Sequence, residues 1–85
     1  AYSIAPFITL RAFEQIRNDI CFHNLDVKIV GNGGGFGYGI MGATHHTLED
    51  IGMMRLLTNM TVLVPAFDQD VSNSVDFMLS RNTPC

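Results

Sequence analysis

The chain has 85 residues, with no tryptophan, three prolines, two cysteines and only five lysines and arginines. Against eight acidic residues those cations leave a formal net charge of −3. That balance provides no basic field for nucleic acid and no polybasic patch for an anionic membrane. No apolar run approaches the ~18 residues of a membrane span, and no signal-peptide pattern opens the chain. Two cysteines, Cys21 and Cys85, make no disulfide framework, and the plain expectation is a reduced, cytoplasmic protein. No G-x-x-x-x-G-K-[ST] string occurs, which excludes a P-loop. There is no initiator methionine, and both ends read as cut from something longer.

What is present is a small globular chain. Its hydrophobic content of 47% is too high for a disordered segment. Eighty-five residues make at most one domain, which buries only a little over ~60% of its unfolded surface. Seven of the eight glycines fall between Gly31 and Gly42. That stretch has no hydrophobic period and reads as a long loop over 31–44, of a length usually functional or mobile.

Around this loop the pattern alternates. Pro6 suits a first helical turn, and Phe13, Ile16 and Ile20 recur at helical spacing, so residues 6–23 read as a helix stopped by Asn24. The short β-branched run Val27–Val30 reads as a strand. Thr47-Leu48-Glu49-Asp50 fits a capping box, which predicts a helix over 47–58 with Leu48, Ile51, Met54 or Arg55, and then Leu57 or Thr58 on one face and Asn59 as its stop. Thr61–Val64 reads as a second strand ended by Pro65. A third helix starts at Asp68 or Gln69, with Val71, Val75, Met78 and Leu79 facing inward, and Asn82-Thr83-Pro84 ends it. Helix, strand, helix, strand, helix at this spacing implies parallel strands with crossover helices. Two strands make no stable sheet alone, so the sheet is incomplete in this chain.

The glycine run first suggests a nucleotide. Gly37-Tyr38-Gly39-Ile40-Met41-Gly42 satisfies G-x-G-x-x-G, but it starts seven residues after Val30 and its last glycine stops five residues short of the predicted helix, outside the strand–turn–helix context that such a motif requires. The glycines more simply let the backbone turn with positive φ, or approach a ligand at the carboxyl edge of a parallel sheet. His45 and His46 are adjacent and project differently, so they do not share a metal; Cys21 and His23 lie far off in sequence, and no metal site is expected. One histidine either packs or points over the strand ends as an acid, base or hydrogen-bond donor. The carboxylates Glu49, Asp50, Asp68 and Asp70 fit helix N-termini, Glu14 and Asp19 fit a solvated face, and the five methionines fit a core.

Several of these pieces, taken in order, resemble a known family. Phe7-x-x-x-Arg11-Ala12-Phe13-Glu14-Gln15-Ile16-Arg17-Asn18-Asp19, then Val27-Lys28-Ile29-Val30-Gly31, Gly42-Ala43-Thr44-His45, Leu48-Glu49-Asp50-Ile51, Met54-Arg55, Asn59-Met60-Thr61-Val62 and Val64-Pro65 run parallel to the pyrimidine-binding domain of transketolase-like enzymes. The similarity covers about Tyr2 to Met78, and short or split transketolase subunits look nearest. It implies a three-layer α/β parallel-sheet fold of the pyrimidine-binding type, with residues 1–85 as a partial domain. It also implies thiamine diphosphate and Mg2+, both held mainly by a diphosphate-binding domain or subunit, in a dimer or heterotetramer acting on sugar-type substrates. Phe7 matches the aromatic residue stacked on the aminopyrimidine, Arg11 an arginine near the cofactor, and His45 the histidine of the Gly-Pro/Ala-Thr-His motif that reaches the sugar substrate.

Departures from the family pattern bear on substrate. The strand carrying the family's activating glutamate precedes the first residues here. Gly31-Asn32-Gly33-Gly34-Gly35 replaces a Thr-His-Asp/Ala stretch, and Met41 stands where many transketolases have an acid. The expected activity is transfer of a two-carbon ketol unit. A β-chain of a 2-oxoacid dehydrogenase, a deoxyxylulose-phosphate synthase and a non-catalytic interaction module stay open beside it.

Overall fold

A computed structural model describes all residues from Ala1 to Cys85. The order is β1 (Tyr2–Ile4), α1 (Ala5–Ile8), α2 (Phe13–Gln15), β2 (Val30–Asn32), α3 (Asp50–Met54) and α4 (Asp68–Leu79). The strands β1 and β2 pair in parallel, with Tyr2 opposite Val30, Ser3 opposite Gly31 and Ile4 opposite Asn32. The class is therefore α/β, as expected, but the parallel pair is not the expected one. The sequence pattern shows no strand before the first helix, because three residues carry no period. It does suggest a strand over Thr61–Val64, whose single backbone bond runs from the Thr61 N–H to the Pro84 carbonyl at 3.0 Å. A strand is defined by its partner, and Val62, Leu63 and Val64 have no backbone partner.

The Val27–Val30 run lies where it was expected but is tied differently. Its register slides forward to Val30–Asn32. Upstream, the Cys85 N–H donates to the Val27 carbonyl at 3.2 Å and the Cys85 carbonyl accepts from the Ile29 N–H at 2.8 Å. Cys85 thus begins to pair on one side of this backbone while Ala1 pairs on the other, through Val30 N–H to Ala1 carbonyl at 2.7 Å. Between β2 and the 61–65 segment lies a cavity of about 570 Å³, whose lining includes Ile29, Met54, Met60, Val62, Met78 and Cys85.

The predicted helix 6–23 is helical but broken. Thr9 is the cause: its Oγ1 donates to the Ala5 carbonyl at 2.6 Å, which the Thr9 N–H also reaches at 3.0 Å. The next turn widens, and the Arg11 N–H bonds five residues back to Pro6. Such back-bonding by threonine bends helices. After α2 the chain runs on as a π-helical stretch, Ile16–Cys21. Asn24 stops it with φ of 52° and Asn59 ends the turns after α3 with φ of 68°, both at predicted stops. Asparagine tolerates this left-handed region better than most residues. Asn59 also donates from Nδ2 to the Cys21 carbonyl at 2.9 Å, joining the two segment ends.

Two further expectations fail, one of them in part. The capping box at Thr47 does not form; Thr47 is instead 1% exposed and held by a backbone pair with Gly35, so α3 starts only at Asp50. The expected inward face of α4 is only partly turned inward: Met78 is half-buried and lines the cavity, while Val71, Val75 and Leu79 are 40–70% exposed. At its N-terminus α4 is capped by Asp70, whose Oδ2 accepts the N–H groups of Ala66 and Phe67. The packed core is small: Ile16, Cys21, Met54 and Leu57, with Phe13, Ile20, Ile29 and Met60 against it. No helix is long and apolar enough to cross a membrane.

One side chain ties the end of α4 to the start of the sheet. Lys28 Nζ donates to the carbonyls of Arg81 at 2.7 Å and Thr83 at 2.8 Å and pairs with Asp26. Losing the ammonium strands two carbonyls beside a mostly buried stem. Lys28→Met should therefore lower unfolding free energy by about 1–2 kcal/mol in urea titration. An unchanged midpoint would mean water serves these carbonyls equally well. Burial also pushes the Cys21 thiol above its usual pKa. A thiol raised on folding favours the folded state while both states are protonated. Stability should therefore hold below about pH 8.5 and fall as pH climbs through the raised value. Urea midpoints at pH 7, 8.5 and 10, compared between the wild type and Cys21→Ala, check this: the alkaline decline should be smaller in the variant.

Candidate functional site

Parallel pairing of β1 with β2 brings α1 and the glycine loop to the same sheet edge. α1 follows directly from the carboxyl end of β1, and the loop follows directly from the carboxyl end of β2. This is the edge where open α/β sheets bind ligands. Gly31 permits the approach: a Cβ there would sit 3.2 Å from the Ala5 Cα and 3.3 Å from its Cβ.

Three side chains meet at this edge. Phe7, in the first turn of α1, is half-buried. The widened turn after Thr9 carries Arg11 back over it, with the guanidinium carbon 4.5 Å from the ring centroid. His45 lies against Phe7 edge-on, with centroids 5.2 Å apart and planes at 62°. The three residues singled out from sequence thus form one cluster. Its offset, edge-to-face geometry is the favoured one for π systems.

The loop that delivers His45 is a series of tight turns. Gly35 and Thr47 exchange backbone bonds of 2.8 and 2.9 Å and close its base. Inside, N–H groups of Gly39, Met41, Gly42 and His45 each bond a carbonyl three residues back. A short 3-10 turn, Gly39–Met41, occupies the G-x-G-x-x-G match, and α3 begins eight residues after Gly42. The motif does not lead from a strand end into an α-helix, so the strand–turn–helix arrangement of a pyrophosphate site is absent.

The two histidines do different work. His45 Nδ1 pairs with Thr44 Oγ1 at 2.9 Å, which orients the ring and leaves Nε2 as the nitrogen without a protein partner. His46 Nε2 bonds the Gly39 carbonyl at 2.9 Å, and its ring stands edge-on to Phe36 at 5.1 Å. His46 fastens the loop from within. No carboxylate bonds either imidazole, so no Ser/His/Asp-type relay is built here. Glu14 is occupied on the surface, where hydrogen bonds from Arg17 and then Asn18 hold its carboxyl below the usual range. No group of three or more His, Cys, Asp or Glu is placed to hold a metal ion.

Two residues of this edge, Asn32 and Tyr38, do not stand out in the sequence. Tyr38 lies 5.8 Å from the His45 ring, and its hydroxyl accepts a hydrogen bond from Asn32 Nδ2 at 3.2 Å. In the glycine run Tyr38 reads as a filler of the motif. A half-buried tyrosine needs a surface to lie on, and the glycines around it are the available signal. The large cavity between β2 and residues 61–65 is lined by none of Phe7, Arg11, Tyr38 or His45. Its wall reaches Gly34, Gly35 and Thr47 at the base of the glycine loop but does not include the cluster.

The family model described as "Transketolase, pyrimidine binding domain" matches residues 3–85. The chain is similar to one of the subunits of apulose-4-phosphate transketolase from Actinobacillus succinogenes, 36% identical over 80 residues, covering 94% of this chain and 26% of that protein. The corresponding polypeptide of Phocaeicola vulgatus is 34% identical over the same shares. A 1-deoxy-D-xylulose-5-phosphate synthase of Aliarcobacter butzleri is 34% identical over 86 residues, covering 94% of this chain and 14% of the relative. Among solved structures, a split-gene transketolase described as an inactive beta4 tetramer superposes with a TM-score of 0.84 at 39% identity, over 99% of this chain and 26% of that one. The chain thus spans about a quarter of the length of the apulose-4-phosphate transketolase relatives.

Thr47 adjoins the site and leaves a test of how dry its base is. Its Oγ1 is buried without a hydrogen-bond partner. An orphaned hydroxyl is a net penalty that an isosteric methyl removes. Thr47→Val should be neutral or stabilising by up to about 1 kcal/mol in denaturant titration. A loss of stability would reveal a partner for the hydroxyl, such as a bound water.

Proposed function

Because this chain belongs to the transketolase pyrimidine-binding-domain family, we propose that it forms the pyrimidine-side wall and substrate rim of a thiamine diphosphate site. In this reading residues 1–85 are part of a three-layer parallel-sheet domain. The assembled enzyme is a transketolase moving a two-carbon ketol unit between sugar-type substrates. The observation that carries the proposal is the contact between Phe7 and His45 at the carboxyl edge of β1 and β2.

The residues present suit one end of the cofactor. Phe7 offers a flat ring for a flat heterocycle, and Arg11 already stacks on it as a movable planar group. When bound, thiamine diphosphate supplies the carbanion equivalent that carries the ketol unit. Nothing here suits the diphosphate end, since no carboxylate cluster is placed for Mg2+. Those ligands belong to a diphosphate-binding domain or subunit, in a dimer or heterotetramer. His45, oriented by Thr44 through Nδ1, presents Nε2 to a substrate hydroxyl or carbonyl. There it can donate or accept a hydrogen bond, or pass a proton, at Nε2.

The deoxyxylulose-phosphate synthase likeness supports a second reading, a related thiamine enzyme of that type. Supplying apulose 4-phosphate with an aldose-phosphate acceptor in one assay and a 2-oxoacid with the same acceptor in another separates the two. The chain alone should bind no thiamine diphosphate by calorimetry, with or without Mg2+. In the assembled enzyme, His45→Ala should lower turnover by about 10²–10⁴-fold with little change in cofactor affinity. Equal loss of turnover and cofactor affinity would make His45 structural. Absence of thiamine-dependent turnover in the assembled wild type would overturn the enzyme reading.

A further inference from the structure

We propose that Tyr38 and Asn32 form a hydroxyl-reading pair on the substrate rim, and that Gly33 is the seat that holds Tyr38 in place. This rests on the thiamine-site reading and adds to it the residues that select substrate.

The seat comes first. Gly33 has φ of +74°, and a Cβ built there would lie 2.1, 2.6 and 3.0 Å from three carbons of the Tyr38 ring. The ring therefore rests on the bare Gly33 backbone, five residues upstream. Any other residue at this position would displace it. Gly37 is close-packed too: its Cβ would meet the Gly34 carbonyl oxygen at 3.2 Å and the Gly33 Cα at 3.3 Å. The loop folds back on itself here, and the tyrosine fills the fold.

The pair follows from the seat. With its ring on Gly33, Tyr38 places its hydroxyl 3.2 Å from Asn32 Nδ2 and its ring 5.8 Å from His45. Asn32 is the last residue of β2, so its side chain starts from a fixed point at the sheet edge. In this hydrogen bond the phenol oxygen accepts. Its own proton stays free to donate, and the Asn32 Oδ1 stays free to accept. One donor and one acceptor side by side match a substrate hydroxyl, which gives one hydrogen and takes another. His45 Nε2, also without a protein partner, belongs to the same rim. Asn32 is exposed and Tyr38 half-buried, which leaves the pair open to solvent and to a polyol chain.

The test uses the enzyme assembled with its diphosphate-binding partner, thiamine diphosphate and Mg2+, with apulose 4-phosphate as the ketol donor and a saturating aldose phosphate as the acceptor. Tyr38→Phe keeps the ring and removes the donor. It should raise KM for the sugar phosphate roughly ten- to hundredfold, while cofactor affinity stays within about twofold. Asn32→Ala should do the same, and the double variant should be little worse than either single one. Gly33→Ala should also raise KM by unseating the ring. In the Tyr38→Phe background, where the hydroxyl is already gone, Gly33→Ala should raise KM no further. Melting curves of each variant confirm the fold.

The outcomes divide cleanly. Thiamine-dependent turnover with Tyr38→Phe at the wild-type KM overturns the hydroxyl-reading pair alone. Tyr38→Phe that lowers cofactor affinity as much as it raises KM makes the tyrosine structural and also overturns it. A further rise in KM when Gly33→Ala is added to Tyr38→Phe overturns the seat. No thiamine-dependent turnover in the wild-type assembly overturns the functional reading and this pair with it.

Discussion

The constraint on which the site depends is the close parallel pairing of two three-residue strands. Ser3 opposite Gly31 fixes the register, and the missing side chain of Gly31 lets the first turn of α1 lie directly over β2. A one-residue slip would turn alternate side chains to opposite faces and bring a bulkier neighbour, Val30 or Asn32, under Ala5. Everything at the sheet edge follows from this. Phe7 sits two residues into a helix that starts at one strand end, and the loop bearing Tyr38 and His45 starts at the other. Neither segment could find the other without the ladder between them.

The glycine loop illustrates how flexible residues build a firm object. Chain entropy opposes ordering so many glycines. The loop offsets it with closely spaced backbone hydrogen bonds, a Gly35–Thr47 pair at the base and a His46 imidazole holding Gly39 from inside. The glycines with positive φ lie at 33, 35, 39 and 42. At Gly33 the same feature also makes room for an aromatic ring. The adjacent histidines thereby divide their labour: one anchors the loop, the other is carried on it.

Sequence patterns reveal the elements whose causes are local. Asn24 and Asn59 stop their helices because a left-handed turn is a property of one residue and its neighbours. α4 begins at Asp68 because the Asp70 carboxylate reaches back over one turn to the amides of Phe67 and Ala66. What depends on distant partners is illegible. β1 exists only because β2 lies beside it, and Thr61–Val64 has strand composition, yet Val62, Leu63 and Val64 have no backbone partner. Thr47 has the composition of a cap, yet a backbone pair with Gly35 far upstream outweighs one capping bond. Of the inward face expected of α4, only Met78 meets the rest of the chain, at the cavity wall, and Val71, Val75 and Leu79 stay exposed. At the site, Phe7, Arg11 and His45 are reached through the family resemblance and prove to be neighbours. Asn32 and Tyr38 are not reached, because their contact depends on how the glycines fold.

The charge distribution bears on why such a wall would need a partner. A diphosphate requires several cations or a metal, whereas a neutral heterocycle requires only a flat apolar surface. Here Arg11 is the cation stacked at Phe7, while Arg17 is paired with Glu14, Lys28 is bonded to Asp26 and two carbonyls, and the chain as a whole is net negative. The proposed site therefore divides a cofactor along its own polarity, ring on this side and anion on the other. Binding free energy for such a cofactor arises only where both sides meet, so the cofactor stabilises the assembly and the assembly stabilises the cofactor. A small core with large apolar side chains left exposed, Phe67 and Leu56 among them, suits a chain whose stability is completed by that contact.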